Sequence, residues 1–232
     1  MSPQILFDRM MLDPVATLKS SLIIGHLIGL VFGLGTATLL DIFIFKFVLP
    51  RRVSKDHYEV IHLFSKIVAS GLLLLWVTGL GFLAFYSYFD PDKLSNQKVW
   101  AKLVVVGVLT LNGLFIHRAV LPLIHDHIGR PLFDGLSPGQ RFLLLTSGAV
   151  SGTSWYVPFV LGAFPQFNFL PALPLVLSYV FVLAATIVTT QIFALAVPPS
   201  ESTPLSSHAE GAARNPLPPL ARGNPAVATS RA

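Results

Sequence analysis

Apolar residues run along this chain in five long stretches, roughly 22–49, 58–89, 98–124, 141–164 and 170–197, each broken off by proline, glycine or charge. Pro50-Arg51-Arg52, Asp90-Pro91-Asp92 and Pro198-Pro199 are the clearest breaks. A helix of about 20 apolar residues crosses a bilayer, so the pattern predicts an all-α fold, a polytopic membrane bundle of five transmembrane helices over 20–197. Ahead of it, residues 1–19 mix Ile5, Phe7, Met10 and Met11 with Asp8, Arg9 and Asp13. That mixture predicts a segment lying in the interface. Beyond it, residues 198–232 are rich in Pro, Ser, Ala and Gly without apolar periodicity, which predicts a disordered tail.

Composition agrees with the pattern. Of 232 residues, 53% are hydrophobic and only 12% charged, too apolar for a soluble domain of this length. No cysteine is present, which removes disulfides, thiolate-held clusters and covalently attached haem. The net charge of +5 is spread over loops and tail, not gathered in a basic patch with interleaved aromatics. Nucleic acid is therefore not an expected partner. Membrane lipids are, with a homo-oligomer or a larger membrane complex as the expected protein partners. Most Lys and Arg, including Lys46, Arg52, Lys55, Arg118 and Arg130, fall on the side of the first and third loops and the tail. The positive-inside rule then sets the N-terminus outside and the C-terminus in the cytoplasm.

Against this apolar background, ionisable side chains inside the first three stretches stand out: His26 and Asp41, His62 and Lys66, Lys102 and His117. Such groups are costly at membrane depth and usually face a protein interior or a water-filled cavity. At 1.5 Å per residue, His26 and Lys102 lie about 12–13 Å to one side of their spans' midpoints, and Asp41 and His117 about 9–10 Å to the other. His62 and Lys66 join the second layer. Gly25, Gly29 and Gly33 form a small-residue stripe flanking His26, open to close approach by a helix or a flat ligand. Three readings stand for His26: a packing histidine bonded to a neighbouring helix, a metal or haem ligand, or a proton relay. For His62 and His117 interfacial solvation competes with cofactor ligation. Lys66 snorkels to the interface or pairs with Asp41 in an ion pair or proton path. His125-Asp126-His127 has the composition of a metal triplet or of a solvated turn. Hydroxyl residues in the fourth and fifth stretches suit helix packing.

His26 early in the first span, Phe64, Gly71 and Thr78-Gly79 in the second, and Trp100-Ala101-Lys102-Leu103 opening the third resemble, distantly and over roughly residues 20 to 125, the HemJ-type bacterial membrane proteins. Small copper-resistance D-type bundles are similar in size. The resemblance implies a bacterial inner (cytoplasmic) membrane protein, haem b as cofactor with His26 as iron ligand, Lys102 as the essential catalytic cation, and oxidation of a porphyrinogen. His62 and His117 are the candidates for a further haem. Two other functions remain open from the residues themselves: a proton- or metal-ion-handling transporter using Asp41, His26 and Lys102, and a non-catalytic accessory subunit of a membrane complex.

Overall fold

The computed structural model describes residues 11–48 and 52–196. Residues 1–10 of the expected interfacial segment and the whole expected tail, 198–232, lie outside the described residues. Five helices succeed one another: α1 (Pro14–Phe47), α2 (Lys55–Phe89), α3 (Gln97–Asp126), α4 (Pro138–Ala163) and α5 (Ala172–Ala196). The described residues contain no strand, only one isolated bridge between Arg52 and Pro131. This is the all-α architecture the apolar runs predict. In hydrocarbon an unpaired backbone amide has no water to turn to, so a continuous helix is the conformation that satisfies it.

Helix boundaries reflect local chemistry. Asp13 caps α1 by accepting from the Ala16 amide at 2.9 Å, and Pro14 occupies the first turn, where its missing N–H costs nothing. The helix runs on from there, and residues 14–19 form its first turns. Ser54 and His57 form a capping box at the start of α2, and Ser137 and Gln140 form another at the start of α4.

Four of the helices, α1, α2, α3 and α5, are long and apolar enough to cross a membrane. α4, 26 residues long, carries Ser147, Gly148, Ser151, Gly152, Thr153 and Ser154 through its middle, which lowers its apolarity. Ser147, Thr153 and Ser154 are buried in the bundle. The chain is thus a multi-pass membrane protein whose least apolar helix is turned inward. Large side chains such as Leu73, Leu111, Phe181 and Leu195 stand exposed on the outside, as lipid contact requires.

α2 lies against α1, and α4 packs on α1, α3 and α5. The α1–α2 crossing is set by glycine. A Cβ on Gly71 would collide with the Gly33 backbone, and one on Gly29 would come 3.1 Å from the Gly71 carbonyl oxygen. The expected small-residue stripe is therefore taken up by a neighbouring helix, with Gly33 also receiving the Trp155 ring. Polar bonds tie the remaining helices. Asn112 donates to the Ser147 carbonyl at 2.9 Å, Ser154 and Tyr179 share a hydrogen bond of 2.9 Å, and Arg141 donates to the Ala194 carbonyl.

π turns interrupt α1 at Val31–Gly35 and Ile44–Val48 and α3 at Ile116–Val120. Those at Val31–Gly35 and Ile116–Val120 shift the register of the helical turns C-terminal to them. Three apolar clusters stack along the bundle. One, around Val53, Ile61, Leu121 and Leu132, seals the end reached by Asp41. A second, Ala37, Leu109 and Trp155, sits in the middle. The third, Ala101, Leu161 and Leu175, lies toward the other end. At the first end Val53 donates to the Arg130 carbonyl and Gly129 donates back to Val53, with Gly129 at φ 91°, a value glycine adopts without strain.

Candidate functional site

Polar groups of α1 to α4 converge on a cavity of about 520 Å³ in the half of the bundle nearest the start of α1. His26 and Lys102 both line it, so the structure brings together the two residues the sequence places at one depth. The rest of the wall is apolar, with Leu72, Leu75, Phe82, Leu103, Val106 and Phe159 among its members.

His26 is held by α2. Its Nδ1 lies 2.8 Å from Thr78 Oγ1, and the Thr78 hydroxyl is itself 2.7 Å from the Leu74 carbonyl. A hydroxyl has one proton, and a carbonyl can only accept it. With the Thr78 proton on the Leu74 carbonyl, Thr78 accepts from His26 and the imidazole carries its proton on Nδ1; with the Thr78 proton on Nδ1 the tautomer is reversed. In the first arrangement Nε2 keeps its lone pair, and it makes no hydrogen bond among the described residues. The ring is further steadied edge-on by Phe82, with centroids 5.7 Å apart. A metal-binding histidine is oriented in the same way, by an acceptor on its other nitrogen, and the arrangement serves a proton acceptor equally well.

Lys102 projects from α3 past Gly162 of α4, where an added Cβ would stand 3.4 Å from Nζ. No ion pair engages it among the described residues. Nearer the rim, Lys98 donates to the Phe164 carbonyl at 3.3 Å and closes the C-terminal end of α4, where a cation complements the helix dipole. Two indoles complete the wall. Trp76 donates to Thr110 Oγ1 at 3.0 Å, whereas the buried Trp155 Nε1 has no partner among the described residues. The cavity thus offers one imidazole lone pair and one ammonium, with an unpartnered indole N–H in its wall.

Comparison with family models, curated proteins and solved structures finds no match to this chain.

The other ionisable residues are placed elsewhere. Asp41 lines a separate cavity, beyond the Ala37, Leu109 and Trp155 cluster. Lys66 is exposed on α2 and forms no ion pair with Asp41 among the described residues, in keeping with the snorkelling alternative. His62 stacks on Tyr58 at 5.9 Å, and His117 is exposed within the π turn of α3. Neither lines the His26 cavity or the Asp41 cavity. The π turns explain the difference for His117, since even helical periodicity puts it on the face of Lys102. His125 lies 3.5 Å from Asp126, and His127 is bonded to the Leu123 carbonyl at 2.7 Å. No group of three or more metal-binding side chains occurs among the described residues.

Sequence reasoning missed Thr78 as the partner of His26 and took Trp155 only as a helix-packing residue. The spacing of His26 and Thr78 along the chain gives no hint that they meet, and an indole in an apolar run reads as packing.

Proposed function

We propose that this protein is a haem b-binding redox protein of the bacterial inner membrane. The observation that carries the reading is the place of His26, tethered through Nδ1 to Thr78 in an apolar cavity shared with Lys102, with no partner on Nε2 among the described residues. The donor set fits the group. Neutral imidazole is a common axial ligand, and about 300–1,000 Å³ is the usual range of cofactor-sized sites. His26 is the one imidazole that lines the cavity among the described residues, and it would be the residue to hold the haem iron.

In this reading Thr78 holds the ring and raises the basicity of Nε2, while Lys102 pairs with a propionate or with a substrate carboxylate. The aliphatic and aromatic wall keeps water away, which strengthens the Lys102 charge on any anion beside it. Bound haem supplies one-electron chemistry. Oxidation of a porphyrinogen, or transfer of electrons to a membrane partner, is the activity that chemistry serves. The HemJ-type resemblance runs through His26, Thr78 and Lys102 and agrees with this cavity. We also propose that the His26 end faces outward. Arg52, Lys55 and Arg130 gather at the opposite end, and the loop at the His26 end balances Lys93 with Asp90 and Asp92.

Oxidised and reduced absorption spectra of the detergent-purified protein test the reading. A Soret band should appear, disappear in His26→Ala, and survive in His62→Ala and His117→Ala. A protein that stays colourless after haem titration overturns it.

A further inference from the structure

The second cavity, of about 490 Å³, lies between α1, α2, α3, α4 and α5 in the Asp41 half of the bundle. Among the described residues, no Lys, Arg or His lines it. Asp41 is its one carboxylate, and among the described residues that carboxylate has neither a hydrogen bond nor an ion pair. Its Oδ2 faces the α4 backbone at Gly152, where an added Cβ would be 3.9 Å away.

The hydroxyls around it have mostly spent their protons. Ser65 donates to the His62 carbonyl, Ser147 to Leu144, Thr186 to Val182 and Thr190 to Thr186, each at 2.8 Å. Thr38 likewise donates to Leu34 at 2.8 Å, so the Tyr156 hydroxyl, 2.9 Å from Thr38 Oγ1, is the donor of that pair. What these groups turn toward the cavity is lone pairs. Only Ser151 and Thr153 keep a proton without a fixed acceptor. A carboxylate among acceptors calls for a ligand that brings positive charge and N–H donors, because a lone charge at membrane depth is costly without one. Size decides the kind of cation. A water molecule takes about 30 Å³, so a bare metal ion would leave most of this space empty, and the wall is chiefly aliphatic, with Leu40, Ile44, Val120, Leu145 and Val182 in it.

We propose that this cavity binds an amphipathic organic cation, its N–H groups on Asp41 and its apolar body against the aliphatic wall. This does not depend on haem occupying the other cavity. Ethidium, flat, permanently charged and carrying two amino groups, is a suitable probe. Fluorescence titration of the full chain in dodecyl maltoside should show saturable binding. Asp41→Asn should weaken it at least about tenfold, as loss of one partner of a buried charge pair does, and Asp41→Glu should weaken it less. Ser151→Phe, which fills the cavity and keeps the charge, should also weaken binding. Size-exclusion profiles and melting curves matching the unaltered protein identify variants that have folded. Binding no greater than to empty micelles overturns the proposal. So does unaltered binding in folded Asp41→Asn, or displacement of the dye by sodium but not by choline, which would make this an inorganic cation site.

Discussion

Whether the Thr78 hydroxyl spends its proton on its own helix or on Nδ1 determines which nitrogen of His26 is available. Replacing Thr78 with valine keeps the shape and removes the acceptor, leaving His26 free to take the other tautomer. We expect Thr78→Val to lower haem affinity by about 10–100-fold, the usual cost of losing the partner that orients a ligating histidine, and Thr78→Ser to restore most of it, read by titration of the Soret band. At the surface the arithmetic differs. Asp90 accepts a hydrogen bond from Lys93 at 2.8 Å and holds the ammonium above its ordinary pKa. The stabilisation is complete below the unfolded lysine value and fades as pH rises through the folded one. Because the pair is exposed, Lys93→Ala should cost under about 1 kcal/mol, measured by melting at neutral pH, and the difference should vanish in strong alkali. His26 and Lys102 were legible in the sequence because ionisable groups in an apolar run are conspicuous. Thr78 was not, since a threonine in a helix ordinarily bonds back to its own carbonyls, and only the fold shows the second bond.

Between helices, the glycine crossing brings the α1 and α2 backbones into close contact. A methyl group on Gly71 meets backbone atoms of Gly33, which no rotamer change can move. Gly71→Ala should therefore destabilise the protein by about 1–3 kcal/mol or more, whereas Gly107→Ala, where an added Cβ meets nothing within 4 Å, should be neutral or slightly stabilising. Thermal unfolding in one detergent compares them. The existence and type of the helices were readable from apolar length alone. Their faces were less so, because the π turns at Val31–Gly35 and Ile116–Val120 break the even 100° step. Asp41 lies beyond the first of those turns and His117 within the second, and His117 comes out exposed. The low apolarity of α4 was visible in its serines and glycines, but their position on the Asp41 cavity depends on helices far away in sequence.

Across the whole molecule, two cavities of similar size divide the bundle, one holding a cation and an imidazole, the other a carboxylate, with Ala37, Leu109 and Trp155 between them. The proposed orientation can be read chemically, since the chain contains no cysteine. Ser95→Cys, in the exposed α2–α3 loop, should react with a membrane-impermeant maleimide from outside intact cells, and Asp134→Cys, in the exposed α3–α4 loop, only after the cells are opened. The reverse pattern would invert the topology. The three tryptophans supply a second internal reporter. Trp76 and Trp155 wall the His26 cavity, and Trp100 lies on α3 beside Val99 and Lys102, which also line it, so a coloured ligand entering that cavity would quench all three indoles by energy transfer. Its arrival can be tracked in the emission spectrum of the unlabelled protein.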